Sequence, residues 1–158
     1  MVDHERIVMS PERNNVGITV IKCKKAEIFS QLNWLVEMMR MKARNTPKTI
    51  IFCNMMSEIA SVANYFIFKL GQDAYVSNPS DGSKECLIVI FHNMTWIERK
   101  DKFLASFKKA DPVARIVVAS TALSMGANFP DVKYVVNWGP ARIPPRGRKS
   151  WPWWKLSP

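Results

Sequence analysis

The run Arg115-Ile-Val-Val-Ala-Ser-Thr-Ala-Leu-Ser-Met-Gly-Ala-Asn-Phe-Pro-Asp-Val-Lys-Tyr-Val-Val-Asn-Trp-Gly-Pro140 constrains the fold more than any other part of the chain. Two short Val- and Ile-rich bursts, 115–119 and 132–136, read as buried strands. Between them lie Ser120, Thr121, Ser124, Gly126 and Asn128. Open α/β sheets present their sites where buried strands feed small polar loops at the carboxyl edge. Small residues with hydroxyls and free backbone N–H groups suit close approach to phosphate.

The remaining chain repeats the same alternation. Ile18 to Ile21 is a strand candidate, and Ala26 to Lys42 a helix with Ile28, Leu32, Leu35, Val36 and Met39 at three- and four-residue spacing. Asn45-Thr-Pro47 breaks that helix. Lys48 to Cys53 reads as a buried strand. Ser57 to Leu70 reads as a second amphipathic helix, closed by Gly71. Ala74 to Ser77 is a short strand, 78–83 a loop, and Leu87 to His92 another buried strand. Thr95-Trp-Ile-Glu98 is a capping box opening a third helix to about Lys109, and Asp111-Pro112 stops it. Strand and helix in alternation predict a mostly parallel sheet covered on both faces, a three-layer α/β domain. RecA-like, flavodoxin-like and plain Rossmann folds share that string, so the pattern alone selects no function.

Composition narrows the classes. The 158 residues suffice for one domain with a core, and no apolar run reaches the ~18 residues a membrane span needs. We expect no membrane partner and no secretory signal. Cys23, Cys53 and Cys86 are odd in number and widely spaced, against a disulfide framework or zinc site and for a reducing, intracellular setting. Cys53, at a strand end, reads as a small core residue. Formal net charge is +10, which favours a polyanionic partner. Five uncompensated basic residues, Arg142, Arg146, Arg148, Lys149 and Lys155, put half of that excess on the last 17 residues.

The 115–140 run resembles motif V of superfamily 2 helicases in its RecQ-like form. The matching positions are Ala119, Thr121, Ala122, Met125, Gly126, Asn128, Pro130, Asp131, Val132, Trp138, Gly139 and Pro140. Lys48-Thr-Ile-Ile-Phe-Cys-Asn54 resembles motif IV. Ser10 to Val16 resembles the lead-in to the second RecA-like domain, and Phe91-His92 with Met94 and Arg99 the strand, loop and helix that follow. The likeness covers roughly residues 8 to 141. It implies a RecA-like (P-loop NTPase-type) lobe at 16–141, preceded by a leading segment 1–15 and followed by a basic Trp/Pro-rich tail at 142–158.

The resemblance further implies an ATP-dependent 3′–5′ DNA helicase, with ATP and Mg²⁺ held mainly by a first RecA-like domain absent from these residues. Single-stranded DNA would cross the top of the two lobes. Asn54, Ser57, Ser120, Thr121 and Arg99 would lie along the nucleic acid, and Met125, Gly126 and Asn128 would face the nucleotide. DNA repair and recombination, in a nucleus if the source is eukaryotic, are the settings this implies. An alternative use of Asn54 is to cap the helix after it, of Gly126 a tight turn, and of His92 a structural strand end.

Departures from the family pattern matter. Ser124 stands where Gly is usual, and its Cβ disfavours a positive φ. No Gly-x-x-x-x-Gly-Lys-[Ser/Thr] and no Asp-Glu-x-His occurs in the 158 residues. After Pro140 the family continues to motif VI, Gln-x-x-Gly-Arg-x-Gly-Arg, whose arginine contributes roughly 10³ or more in rate. This chain has three Trp within four residues instead, at Trp151, Trp153 and Trp154. Read one base out of frame, Pro144 to Lys155 permits His-Gln-Glu-Ala-Gly-Arg-Ala-Gly followed by His or Arg and two Gly. We therefore read the tail as a frame slip just before motif VI, and Arg146 and Arg148 are not arginine fingers. We expect the isolated chain to have no ATPase. The competing readings are a non-catalytic single-stranded nucleic-acid-binding or regulatory module, with a genuine tail that binds through Arg, Lys and stacking Trp, and an RNA helicase lobe.

Overall fold

The computed structural model describes residues 17, 19–21, 23–78, 82–92, 97–109, 111–120, 123, 129 and 131–139, with Ile97 and Arg99 by backbone alone. Among them, four parallel strands form the main sheet: β1 (Thr49–Cys53), β4 (Ile88–Phe91), β5 (Ile116–Ser120) and β6 (Tyr134–Trp138), in the order β4-β5-β1-β6. β2 (Tyr75–Ser77) and β3 (Lys84–Cys86) make a separate antiparallel pair. Three α-helices are α1 (Asn33–Lys42), α2 (Met56–Leu70) and α3 (Ile97–Phe107).

The period-two alternation within each strand sorts the core into two layers. Ile51, Cys53, Ile116, Val118, Ile88 and Trp138 face α1 and α2, meeting Leu35, Val36, Met39, Ile59, Val62 and Phe66. Ile50, Phe52, Val117, Ala119 and Phe91 face the other way, onto Phe103 and Phe107 of α3. The expected three-layer, RecA-like α/β arrangement is therefore present. β1 and β5, central in the sheet, are buried on both faces, which is why they read as unbroken apolar runs.

Three local expectations differ from the structure. Residues 19–21 form no strand; Val20 and Ile21 are exposed, and two β-formers without a partner strand gain nothing from extension. The helix expected from Ala26 starts as two 3₁₀ turns, Lys25–Glu27 and Phe29–Leu32, and becomes α-helical at Asn33. There Leu32, Leu35 and Met39 lock onto the sheet, whereas Lys24, Lys25 and Ala26 are exposed and have no packing to hold an α-turn. β3 was not anticipated, since Lys84-Glu85-Cys86 carries no apolar alternation; its ladder with β2 and the tight loop (Gly82 N–H to Asn78 O, 2.9 Å) hold it. The remaining strand and helix boundaries fall within two residues of those read from the sequence. The capping box at 95–98 lies partly outside the described residues.

Charged side chains pin the amino edge. Lys48 is buried, and its Nζ donates to Phe107 O (3.0 Å), Lys109 O (2.7 Å) and Asp131 Oδ2 (3.3 Å). One ammonium thus ties β1 to the end of α3 and to the segment leading into β6. Nearby, Asp111 pairs with Arg115 and, at 3.2 Å, with Arg44. Desolvation, the largest single influence, pushes the Asp111 carboxyl up, but the hydrogen bonds and charges of Arg115 and Arg44 together outweigh it and hold it below its ordinary value.

Candidate nucleic-acid interface

The carboxyl edge of the sheet is level. Cys53 is in register with Ser120 on one side and Trp138 on the other, and Phe91 with Ala119. Asn54, His92 and Gly139 directly follow three of these strand ends and Ser120 is itself the fourth, so parallel pairing brings four chain segments to one rim. α2 and α3 both begin at this rim, directing the positive ends of their dipoles toward it.

Asn54 is half-buried just after β1, and Ser57, the second residue of α2, is exposed. Ser120 ends β5; its Oγ is buried with no hydrogen-bond partner among the described residues. Arg99 lies in the first turn of α3, with its backbone alone described. Thr121, Met125, Gly126 and Asn128 lie outside the described residues, as do Ser124 and the tail 142–158. Two residues between β5 and β6, Leu123 and Phe129, are described. Leu123 and Phe129 are both buried in the α3-side core, and the Phe129 ring sits 5.1 Å from that of Phe107. Sequence reading passed over both, although large apolar residues in a small polar loop were the available signal.

Asn54 is not the cap of α2. The N-cap is Met55, in extended conformation, and its side chain offers only a thioether, at best a weak acceptor for the Glu58 N–H. Glu58 does the work instead: its Oε2 accepts the backbone N–H of Asn54 (2.9 Å) and of Met55 (3.0 Å). This is the returning half of a capping box. With Met where Ser or Thr normally announces such a box, the sequence pattern hid it. Gly139 closes the same corner at φ +90°; a Cβ there would meet Asn54 Nδ2 and Glu58 Oε1, each at 3.7 Å. That is ordinary contact, so the positive φ and not crowding calls for Gly.

Beneath the rim, Cys53 is fully buried. Burial, then the nearby Glu58 charge, pushes its thiol up to about 12. The residue is a core component, as its place in the strand suggests. Trp138 packs its ring 5.2 Å from Phe29, so the Trp-Gly pair ends β6 with an anchor followed by a turn. Among the described residues no group of three or more His, Cys, Asp or Glu could hold a metal ion. The described rim offers amides and hydroxyls, the donor set for phosphate, and no carboxylate cage for Mg²⁺. Among the described residues no helix is long and apolar enough to cross a membrane.

Residues 30–149 match the family of the helicase conserved C-terminal domain. The chain belongs to that family. It is the second RecA-like lobe of a superfamily 2 helicase, and helicases of this kind use ATP with Mg²⁺. Among solved structures, the chain is similar to domain 2 of the DEAD-box helicase Mss116p bound to an RNA duplex, at 18% identity and TM-score 0.53. That likeness covers 72% of this chain and 38% of that one. It is likewise similar to S. cerevisiae Dbp5 bound to RNA and ADP BeF3, at 16% identity and TM-score 0.53, over 75% of this chain and 25% of that one. At such identities the likeness is one of fold. This helicase lobe thus spans well under half the length of those chains. No curated protein matches it significantly in sequence.

Proposed function

We propose that this lobe belongs to a RecQ-type, ATP-dependent 3′–5′ DNA helicase, where it contributes contacts to single-stranded DNA and one wall of the ATP cleft. What supports the reading is the motif V sequence between β5 and β6. Thr121 follows Ser120, the strand end level with Cys53, and Trp138-Gly139-Pro140 closes the neighbouring strand, in the order and spacing of the RecQ-like pattern. In the proposed division of labour, Asn54, Ser57, Ser120, Thr121 and Arg99 take the strand. Met125, Gly126 and Asn128 face the nucleotide, and a first lobe supplies the phosphate-binding loop and most of the contacts to ATP and Mg²⁺.

A second reading, an RNA helicase lobe, is favoured by one observation: both structural neighbours named above are bound to RNA. Met125-Gly126-Ala-Asn128 stands where DEAD-box motif V carries an Arg-Gly pair before the acidic residue, which supports the DNA reading.

The test is fluorescence anisotropy of a labelled oligo(dT) strand with the 158-residue chain, across a salt series. Binding should weaken steeply with salt. Thr121→Val and Asn54→Ala should each weaken it about three- to tenfold, the scale of one lost phosphate hydrogen bond. Absence of binding at low salt, or full affinity in both variants, would overturn the assignment.

A further inference from the structure

Two methionines stand where a phosphate-reading turn is expected to be polar. Met55 and Met56 are 48% and 44% exposed, between Asn54 and Ser57 on the carboxyl rim. Position 55 is the N-cap of α2, which Ser, Thr, Asp or Asn usually fill. Here Glu58 satisfies the Asn54 and Met55 amides from below, so the turn is held without a polar side chain at the cap. Position 55 can therefore carry an apolar side chain at the rim without loss of the turn.

Leaving two thioethers in water has no stabilising return within the fold. They are long, flexible and polarizable, and contact π faces favourably. A single strand presents such faces, because its bases are unstacked and sequence-tolerant contacts to them add to the phosphate term. The setting selects the occupant. The pair is flanked by amide and hydroxyl groups, it sits at the positive end of a helix dipole, and the chain carries a net charge of +10.

We infer that Met55 and Met56 form an apolar contact for the bases of the bound single strand, beside the phosphate contacts at Asn54 and Ser57. The inference rests on the nucleic-acid reading above. It makes affinity at this turn depend on bases as well as charge.

The experiment compares Met55→Ser/Met56→Ser with the unaltered 158-residue chain on oligo(dT) and on an abasic strand of equal length. Serine is favourable at the N-cap, so the variant should keep or raise its thermal midpoint. Its affinity for oligo(dT) should fall about five- to tenfold, as expected for ~50 Å² of lost apolar contact. Abasic-strand affinity and the salt slope should not change. Equal weakening on both strands, or none on either, overturns the contact. If the variant instead abolishes self-association seen by sedimentation while oligo(dT) binding persists, the pair joins copies of the chain and the inference fails. If the unaltered chain binds neither strand, the nucleic-acid reading itself has failed.

Discussion

Ala43 and Gly71 end α1 and α2 in the same backbone conformation, φ +43°, ψ −117° and φ +55°, ψ −118°. Each donates its N–H back to the carbonyl four residues earlier, Met39 and Ile67, and each opens a 3₁₀ turn. Glycine adopts this region without penalty, whereas an L side chain is strained there. Ala43→Gly should therefore stabilise the lobe, and Gly71→Ala destabilise it, each by about 1 kcal/mol. Urea unfolding of both variants checks the pair of opposite signs.

The Lys48 ammonium is satisfied by two carbonyls and a carboxylate, and it is buried while Asp131 is half-exposed. Removing the buried partner strands the carbonyls of Phe107 and Lys109; removing the exposed one leaves two bonds intact. Lys48→Ala should cost about 3 kcal/mol and Asp131→Asn under about 1 kcal/mol. Equal losses by chemical denaturation would contradict this account of the amino edge.

Much of the architecture is written in apolar period. β1 and β5 are legible because a strand buried on both faces must be apolar throughout, and α2 because Ile59, Val62, Ala63, Phe66 and Leu70 share one stripe. The illegible parts depend on contacts that no local pattern encodes. Val20 and Ile21 look like a strand but have no neighbouring strand to pair with among the described residues. Lys84 to Cys86 looks like a loop but has one. At the rim, Asn54, Ser57 and Ser120 fall at the ends of elements that the apolar pattern marks out, while Glu58, Leu123 and Phe129 came to light only through the partners they meet in space.

Asp111 should give the lobe an acid limb. Its folded carboxyl titrates below the ordinary value of 3.8, so as pH falls the unfolded chain takes up the proton first. The stability it adds is complete above about pH 4 and is lost as pH drops through the lower folded value. Asp111→Asn should be less stable than the unaltered chain at pH 7, and the gap should narrow at pH 3. Urea midpoints at the two pH values measure it. A gap that widened at pH 3 would contradict the pairing with Arg115 and Arg44.

Cys53 should be inert in the folded lobe. Its thiol is raised to about 12 and fully buried, while Cys23 and Cys86 are half-buried. At pH 8 a thiol-labelling reagent should modify Cys23 and Cys86 first, and Cys53 only after denaturant is added. Peptide mapping of the labelled sites reads the order.

The measurement closest to the central claim is competition between single-stranded DNA and RNA of identical sequence for the 158-residue lobe, at one fixed salt concentration. A RecQ-type lobe should bind the DNA strand at least as tightly as the RNA, and Thr121→Val should weaken both. A clear preference for RNA would contradict the DNA assignment and establish the RNA helicase reading in its place.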